Sequence, residues 1–75
     1  MMVELERALR VCDDNINCGS FPESYRVVRE KLASGATAVT PKDIRTMLAG
    51  AGIPNEDVCD ATEAICFELG ISEEA

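Results

Sequence analysis

TPKDIRTMLAGAGIPNEDVCDATEAICFELGI, residues 40–71, decides the fold, because it predicts two helices joined through residues 50–55. Thr40 and Pro41 are typical of a helix start, since the threonine oxygen accepts from early amides and proline fits the first helical position. The glycines within residues 50–55 end this third predicted helix after about ten residues. Its expected inward-facing side chains are Ile44, Met47, Leu48 and Ala51.

The fourth predicted helix carries the clearest apolar pattern. Asn55 is expected to cap it, and Glu56 and Asp57 suit the positive N-terminal end of its dipole. Gly70 followed by Ile71 predicts a left-handed C-cap, with an apolar residue that folds back onto the last turn. Its expected apolar stripe recurs at helical spacing and consists of Val58, Ala61, Ile65 and Leu69, with Thr62 and Cys66 alongside.

Two further amphipathic helices precede this stretch. The first is predicted over about residues 3–17. The second is predicted to begin with a capping box, in which Ser20 and Glu23 each bond the backbone amide of the other. The apolar stripe of the first is Leu5, Leu9, Cys12 and Ile16, and that of the second is Phe21, Tyr25, Val28 and Leu32.

Each predicted helix has one apolar stripe, so all four must share one core. The sequence therefore predicts an all-α fold: a single small domain, residues 1–75, with four short helices in an orthogonal or bundle-like arrangement. Residues 35–39 are expected to form a loop and residues 72–75 a frayed tail. A chain of 75 residues buries a modest share of its surface, so stabilisation by a partner, a second copy or covalent cross-links is expected.

The sequence lacks membrane and secretory features. No apolar run approaches the ~18 residues that span a bilayer. The segment MMVELERALR carries acids where a signal peptide needs positive charge. We therefore predict a cytoplasmic protein without membrane contact, in which the cysteines are thiols. The sequence leaves open whether disulfides ever form between the four cysteines, which are Cys12, Cys18, Cys59 and Cys66.

Catalytic chemistry is not predicted. The chain has no histidine, which is the commonest general base and metal ligand. Neither cysteine pair has the close spacing of a zinc knuckle, because Cys12 and Cys18 are six residues apart and Cys59 and Cys66 are seven apart. We predict no enzyme activity, no cofactor and no metal site. A cysteine-based metal or redox role is an alternative.

The segment LAGAGIPNEDV, residues 48–58, resembles a helix-turn-helix. Gly52 lies at the turn, four residues after Leu48, and residues 55–69 take the recognition position. The resemblance implies a DNA-binding transcription regulator as an alternative function. A recognition helix brings basic or amide side chains to the duplex, whereas this one brings acids. Nucleic acid is therefore not the partner we expect.

The formal net charge of −7 is unevenly distributed. Residues 1–45 contain seven acids and seven bases, whereas residues 46–75 contain seven acids and no base. A segment of one sign attracts surfaces of the other. We therefore predict a non-enzymatic protein-binding module (an adaptor, regulator or inhibitor) that presents its acidic fourth helix to a basic partner protein. The expected partner-binding residues are Glu56, Asp57, Asp60 and Glu63.

A homodimer is a further alternative. A small core with surplus apolar side chains can bury them between two copies. The side chains expected at such an interface are Val3, Val11, Val27, Phe67 and Ile71.

Overall fold

The computed structural model describes residues 4–35 and 39–71, and the secondary structure within those ranges is entirely helical. Helix α1 is Leu5–Cys18, α2 is Pro22–Ala33, α3 is Pro41–Gly50 and α4 is Asn55–Leu69. The predicted all-α fold of four short helices is confirmed. The predicted frayed tail, residues 72–75, and residues 36–38 of the predicted loop lie outside the described residues.

One hydrophobic core unites the four helices, as their single apolar stripes predicted. Leu9 and Ile16 pack against its edge, but Leu5 is 37% exposed, because the first turn of α1 extends beyond the core. Most of the core side chains are aliphatic. The buried members are Ala8, Cys12, Tyr25, Val28, Leu32, Val39, Ile44, Leu48, Val58, Ala61, Ile65, Cys66, Leu69 and Ile71.

The helices pack as two hairpins. α1 packs most extensively on α2, and α3 packs on α4, while α2 contacts α3 and α1 makes a smaller contact with α4. The Arg29 side chain donates to the Asp13 carboxylate and ties α2 to α1. The second hairpin, in which residues 51–54 join α3 to α4, is helix-turn-helix-like. The Cα radius of gyration is 10.8 Å, close to the ~11 Å of a compact chain of this length.

The start of α3 confirms the predicted cap. Thr40 Oγ1 accepts from the Asp43 amide at 3.2 Å, and the Asp43 carboxylate accepts from the Thr40 amide at 3.1 Å. These bonds form the complete capping box that satisfies amides at the helix end. α1 uses a different cap, because the Glu4 carboxylate accepts from the amides two and three residues later.

The capping box predicted for α2 is wrong. α2 begins at Pro22, so Phe21 rather than Ser20 is the N-cap, and it makes no side-chain capping bond. The physical reason is the preference of proline for the first helical position, which moves the helix start one residue beyond the expected cap. The Phe21 carbonyl accepts from the Tyr25 amide at 3.1 Å.

The predicted cap of α4 is also displaced by one position. Asn55 is the first residue of the helix, and Pro54 is the N-cap. The Pro54 carbonyl accepts from the amides of Asp57 and Val58, at 2.8 and 3.0 Å, and so it is the first acceptor of the helix. A cap without a side-chain acceptor leaves the first amides of α4 to solvent or to its early acids.

The predicted end of α4 is confirmed. Gly70 has a φ of 74°, and the Ile71 amide donates to the Cys66 carbonyl at 2.8 Å. This left-handed turn folds Ile71 into the core. The inward position predicted for Ala51 is wrong. α3 ends at Gly50, so Ala51 no longer follows the helical period and is exposed.

Candidate interaction surface on α4

α4 has a buried side and an exposed side directly opposite. At 3.6 residues per turn, successive side chains are about 100° apart, so positions 56, 60, 63 and 67 share one side. Glu56, Asp60, Glu63 and Phe67 occupy these positions, and all four are exposed. We call them the outer face. The opposite side carries the buried residues, which are Val58, Ala61, Thr62, Ile65, Cys66 and Leu69.

The outer face extends along α4 for about 16 Å, at a rise of about 1.5 Å per residue. α4 packs on α3 and makes a smaller contact with α1. The exposure of all four side chains shows that none of the described elements covers this side of the helix. The outer face is therefore a continuous surface on a rigid element rather than a set of separate loop residues.

The ion pairs between residues within the ranges 4–35 and 39–71 do not involve the outer face. The ion pairs that these residues form with one another are Arg26–Glu23, at 3.2 Å, and Arg29–Asp13, and both lie on α1 and α2. α4 itself contains no lysine or arginine. Its three outer carboxylates consequently project a field of one sign into solvent.

Asp57, the fourth predicted binding residue, does not belong to the outer face. It is exposed, but it lies about a quarter of a turn away from Glu56. Asp57 lines a groove of about 510 Å³ between α2 and the 51–54 turn, together with Phe21, Val27 and Ile53. The structure thus brings three of the four predicted residues together and separates Asp57 from them.

Phe67 is the most prominent residue that the sequence did not assign to the partner-binding set. Its side chain is 82% exposed on the outer face, four residues after Glu63. The spacing of positions 56, 60, 63 and 67 was present in the sequence. The sequence assigned Phe67 to a possible homodimer interface and selected the partner-binding residues by negative charge alone, so an apolar residue on the same side was left out of that set.

The three aromatic side chains of this chain line a single groove. It has a volume of about 180 Å³ and lies between the end of α1, the start of α2 and the second half of α4. Phe67 is exposed at the groove, Phe21 is half-buried, and Tyr25 is buried. We call this the aromatic groove, and its lining residues are Asn15, Ser20, Phe21, Tyr25, Ala64, Phe67 and Glu68.

An acid flanks the aromatic groove. Burial is the main cause that raises the pKa of Tyr25 to about 12, and the negative charges of Glu68 and Cys12 contribute smaller parts of this shift, in that order. The Tyr25 hydroxyl therefore keeps its proton at neutral pH. Glu68, which is exposed, extends the acidic character of α4 to the groove.

The cysteines form a buried pair and an exposed pair. Cys12 and Cys66 are buried, Cys18 and Cys59 are exposed, and all four are thiols rather than disulfides. The pKa of Cys12 is raised to about 11, mainly by burial and to a smaller extent by the Asp13 charge, while the Arg29 charge opposes the shift. Across the described parts of the chain, no group of three or more acidic or cysteine side chains is placed to hold a metal ion.

The surface predicted for a homodimer is altered by the fold. Ile71 is buried, because the C-cap of α4 folds it into the core. Val11 and Val27 are half-buried against the core, and Phe67 is exposed. Val3 lies outside the described residues. The inclusion of Ile71 in a dimer surface is therefore wrong.

Within residues 4–35 and 39–71, no helix has the length and hydropathy needed to cross a bilayer. Comparisons of this chain with protein families, with curated proteins and with solved structures found no match. Inference about its function therefore rests on the burial, charge and geometry of its own surface.

Proposed function

We propose that this protein is a non-enzymatic binding module that presents the outer face of α4 to a basic surface of a partner protein. The observation that carries the proposal is the position of Glu56, Asp60 and Glu63 on one exposed side of α4, directly opposite the core. Side chains in these positions contribute nothing to core packing and are accessible to a partner. An adaptor, a regulator or an inhibitor can each use such a face.

The electrostatics of the outer face support fast, selective association. Charges of one sign on a rigid helix steer a basic surface into place and repel acidic competitors. A single exposed ion pair contributes only about 0–1 kcal/mol, so binding depends on several carboxylates acting together. At physiological ionic strength, dissolved salt weakens the attraction between exposed charges over a distance of about 8 Å. The proposed complex is therefore expected to weaken as the salt concentration rises.

In this proposal, Asp57 contributes to binding through the negative electrostatic potential of α4 rather than through direct contact with the partner surface that binds the outer face. It faces the groove beside α2, away from the outer face. Its charge adds to the negative potential around the first turn of α4. We therefore keep Asp57 in the proposed partner-binding set, with a smaller expected effect than that of Glu56, Asp60 or Glu63.

DNA is the alternative partner. The hairpin of α3 and α4 has the connectivity of a helix-turn-helix, and α4 occupies the recognition position. Specific DNA binding requires cationic or amide side chains at phosphates and base edges. The outer face offers Glu56, Asp60 and Glu63, which the phosphates repel, so the charge favours a protein partner.

The cytoplasm is the compartment that we infer for this activity. Cys18 and Cys59 are exposed thiols. Such thiols persist in a reducing compartment and are oxidised or paired in an oxidising one.

The test removes charge from the outer face without changing its shape. The variant E56Q/D60N/E63Q and the matched control E6Q/D14N/E30Q each lose three exposed carboxylates. Both proteins and the wild type serve as bait in native extract at low salt and at about 0.5 M salt. We expect proteins with basic surfaces to bind the wild type and the control at low salt and to be lost from E56Q/D60N/E63Q.

Two results would contradict the proposal. One is a set of specific partners that E56Q/D60N/E63Q retains at low salt. The other is a low-salt mobility shift in which the wild type binds duplex DNA and the outer-face variant changes that binding, since this result assigns α4 to nucleic acid.

A further inference from the structure

Phe67 is not explained by a face that binds through charge alone. An acidic helix that serves only as a charged surface gains nothing from a phenylalanine exposed on the same side. Exposed aromatic rings are unfavourable in water, and burying one in an interface is among the largest single contributions to binding. Its position at the end of a stripe of three carboxylates places an apolar contact next to a charged one.

The aromatic groove supplies the second observation. Phe21 and Tyr25 come from the start of α2, far from Phe67 in sequence, and the fold brings the chain's three aromatic residues to one concave site. Its volume of about 180 Å³ and its open position suit an aliphatic side chain of a partner. An isolated exposed ring is common on protein surfaces, whereas the Phe67 ring borders a groove that two further aromatic side chains line.

The acidic side chains around the aromatic groove favour a basic occupant. Glu63 lies about one turn before Phe67 on α4, and Glu68 directly follows Phe67. A second copy would bring its own outer face against this one, and like charges placed together in a symmetric interface oppose association. A partner that carries lysine or arginine beside an apolar side chain satisfies both the groove and the carboxylates.

We propose that Phe67 and the aromatic groove bind the apolar stripe of a basic amphipathic helix, whose lysine or arginine side chains pair with the outer face. This inference rests on the proposed function and specifies its partner. An aliphatic side chain of the bound helix enters the groove against Phe21 and Tyr25. The Phe67 ring packs on the next turn of that helix, and Glu56, Asp60 and Glu63 bind its cationic edge.

Two synthetic peptides of equal charge separate the apolar contact from the charged one. Each has about 18 residues, or five helical turns. One is a lysine/leucine amphipathic helix, and the other has every leucine replaced by alanine. Titration calorimetry measures affinity, and amide chemical shifts locate the contact. We expect the lysine/leucine peptide to bind about tenfold more tightly and to shift the amides of Phe21, Ala64 and Phe67.

The variant F67A tests the anchor, and L5A is its control, because both remove an exposed large apolar side chain from a helix. We expect F67A to reduce affinity for the lysine/leucine peptide by about tenfold and to leave the lysine/alanine peptide unchanged. L5A is expected to change neither affinity. E56Q/D60N/E63Q is expected to weaken both peptides.

The outcomes distinguish this inference from the proposed function. If F67A binds both peptides like the wild type while E56Q/D60N/E63Q weakens both, the aromatic anchor is refuted and the proposed function stands. If E56Q/D60N/E63Q leaves both affinities unchanged, the basic occupant and the proposed function fail together. A wild-type dimer in sedimentation that F67A dissociates also overturns the inference, because it assigns the groove to a second copy.

Discussion

Thr62 is a polar residue that lies in the hydrophobic core. Its side chain is fully buried on the core side of α4, and Oγ1 has no hydrogen-bond partner among the described residues. A buried hydroxyl without a partner has lost its bonds to water and gained none in return, which costs about 1–3 kcal/mol. We therefore expect an apolar residue of similar size to be more stable than threonine at position 62.

The substitution T62V is expected to raise the free energy of unfolding by about 1 kcal/mol, because a methyl group replaces the unsatisfied hydroxyl at nearly the same volume. Urea unfolding followed by circular dichroism measures the change. The control T46V removes an exposed hydroxyl that donates to the Lys42 carbonyl at 3.0 Å, and we expect it to be neutral or slightly destabilising. A clear loss of stability in T62V would show that the hydroxyl has a partner.

Cys12 and Tyr25 make the fold sensitive to alkali. Burial raises the pKa of Cys12 from 9.0 to about 11 and that of Tyr25 from 10.0 to about 12. The unfolded chain therefore releases these protons at lower pH than the folded chain does. Because the folded state binds more protons between pH 9 and 12, its stability falls as the pH rises through this range.

We expect the free energy of unfolding to decrease above pH 9, by at most about 1.4 kcal/mol per pH unit for each group. Urea unfolding at a series of pH values measures the slope. The variant C12A should flatten the decrease between pH 9 and 11 and leave the part due to Tyr25. A wild-type stability that is constant from pH 9 to 12 would contradict the raised pKa of both groups.

Among the helices, the starts of α2 and α3 show how a candidate capping residue and a nearby proline together set the first residue of a helix. Ser20 and Thr40 both precede a proline-containing first turn, but only Thr40 is the N-cap residue. Thr40 lies immediately before Pro41, whereas Phe21 separates Ser20 from Pro22. The distance to the proline, not the presence of an acid three residues on, decides which residue caps the helix.

T40A is expected to lower the free energy of unfolding by about 1 kcal/mol, because it removes the oxygen that accepts from the Asp43 amide. S20A removes a hydroxyl that does not cap α2, and we expect a change within about 0.5 kcal/mol. Equilibrium unfolding of the two variants in urea provides the comparison. An equal decrease in the free energy of unfolding of both variants would show that Ser20 does cap α2.

α4 illustrates how far a helical period predicts a surface. Its core side was predicted residue by residue from the spacing of Val58, Ala61, Ile65 and Leu69. The same arithmetic separates Asp57 from the outer face, yet negative charge alone had grouped it with Glu56, Asp60 and Glu63. Charge counts describe a segment, and the angle around the helix axis decides which charges act together.

Across the described residues, the four helices bury their apolar side chains in one common core. Each helix contributes buried side chains to the same core, and the two hairpins contact each other through α2 with α3 and α1 with α4. No hairpin has a separate core among the described residues. This shared core gives the physical reason to expect cooperative unfolding of the described helices.

This domain should unfold in one transition. Far-UV circular dichroism reports on all four helices, whereas the fluorescence of Tyr25, the one tyrosine in the chain, reports on the contact between α1, α2 and α4. We expect the two urea curves to coincide, since small single domains unfold without stable intermediates. Curves with different midpoints would show that the hairpins unfold separately.

The sequence by itself determined the number of helices, the buried side of α4, the caps at Thr40 and Gly70, and the acidity of α4. These are local properties, because a period of 3.6 residues and the conformations of threonine, proline and glycine act within one or two turns. Only the tertiary structure decided that Phe21 and Tyr25 lie beside Phe67 in one groove. Residues far apart along the chain meet through helix packing, and no local pattern specifies which surfaces that packing leaves uncovered.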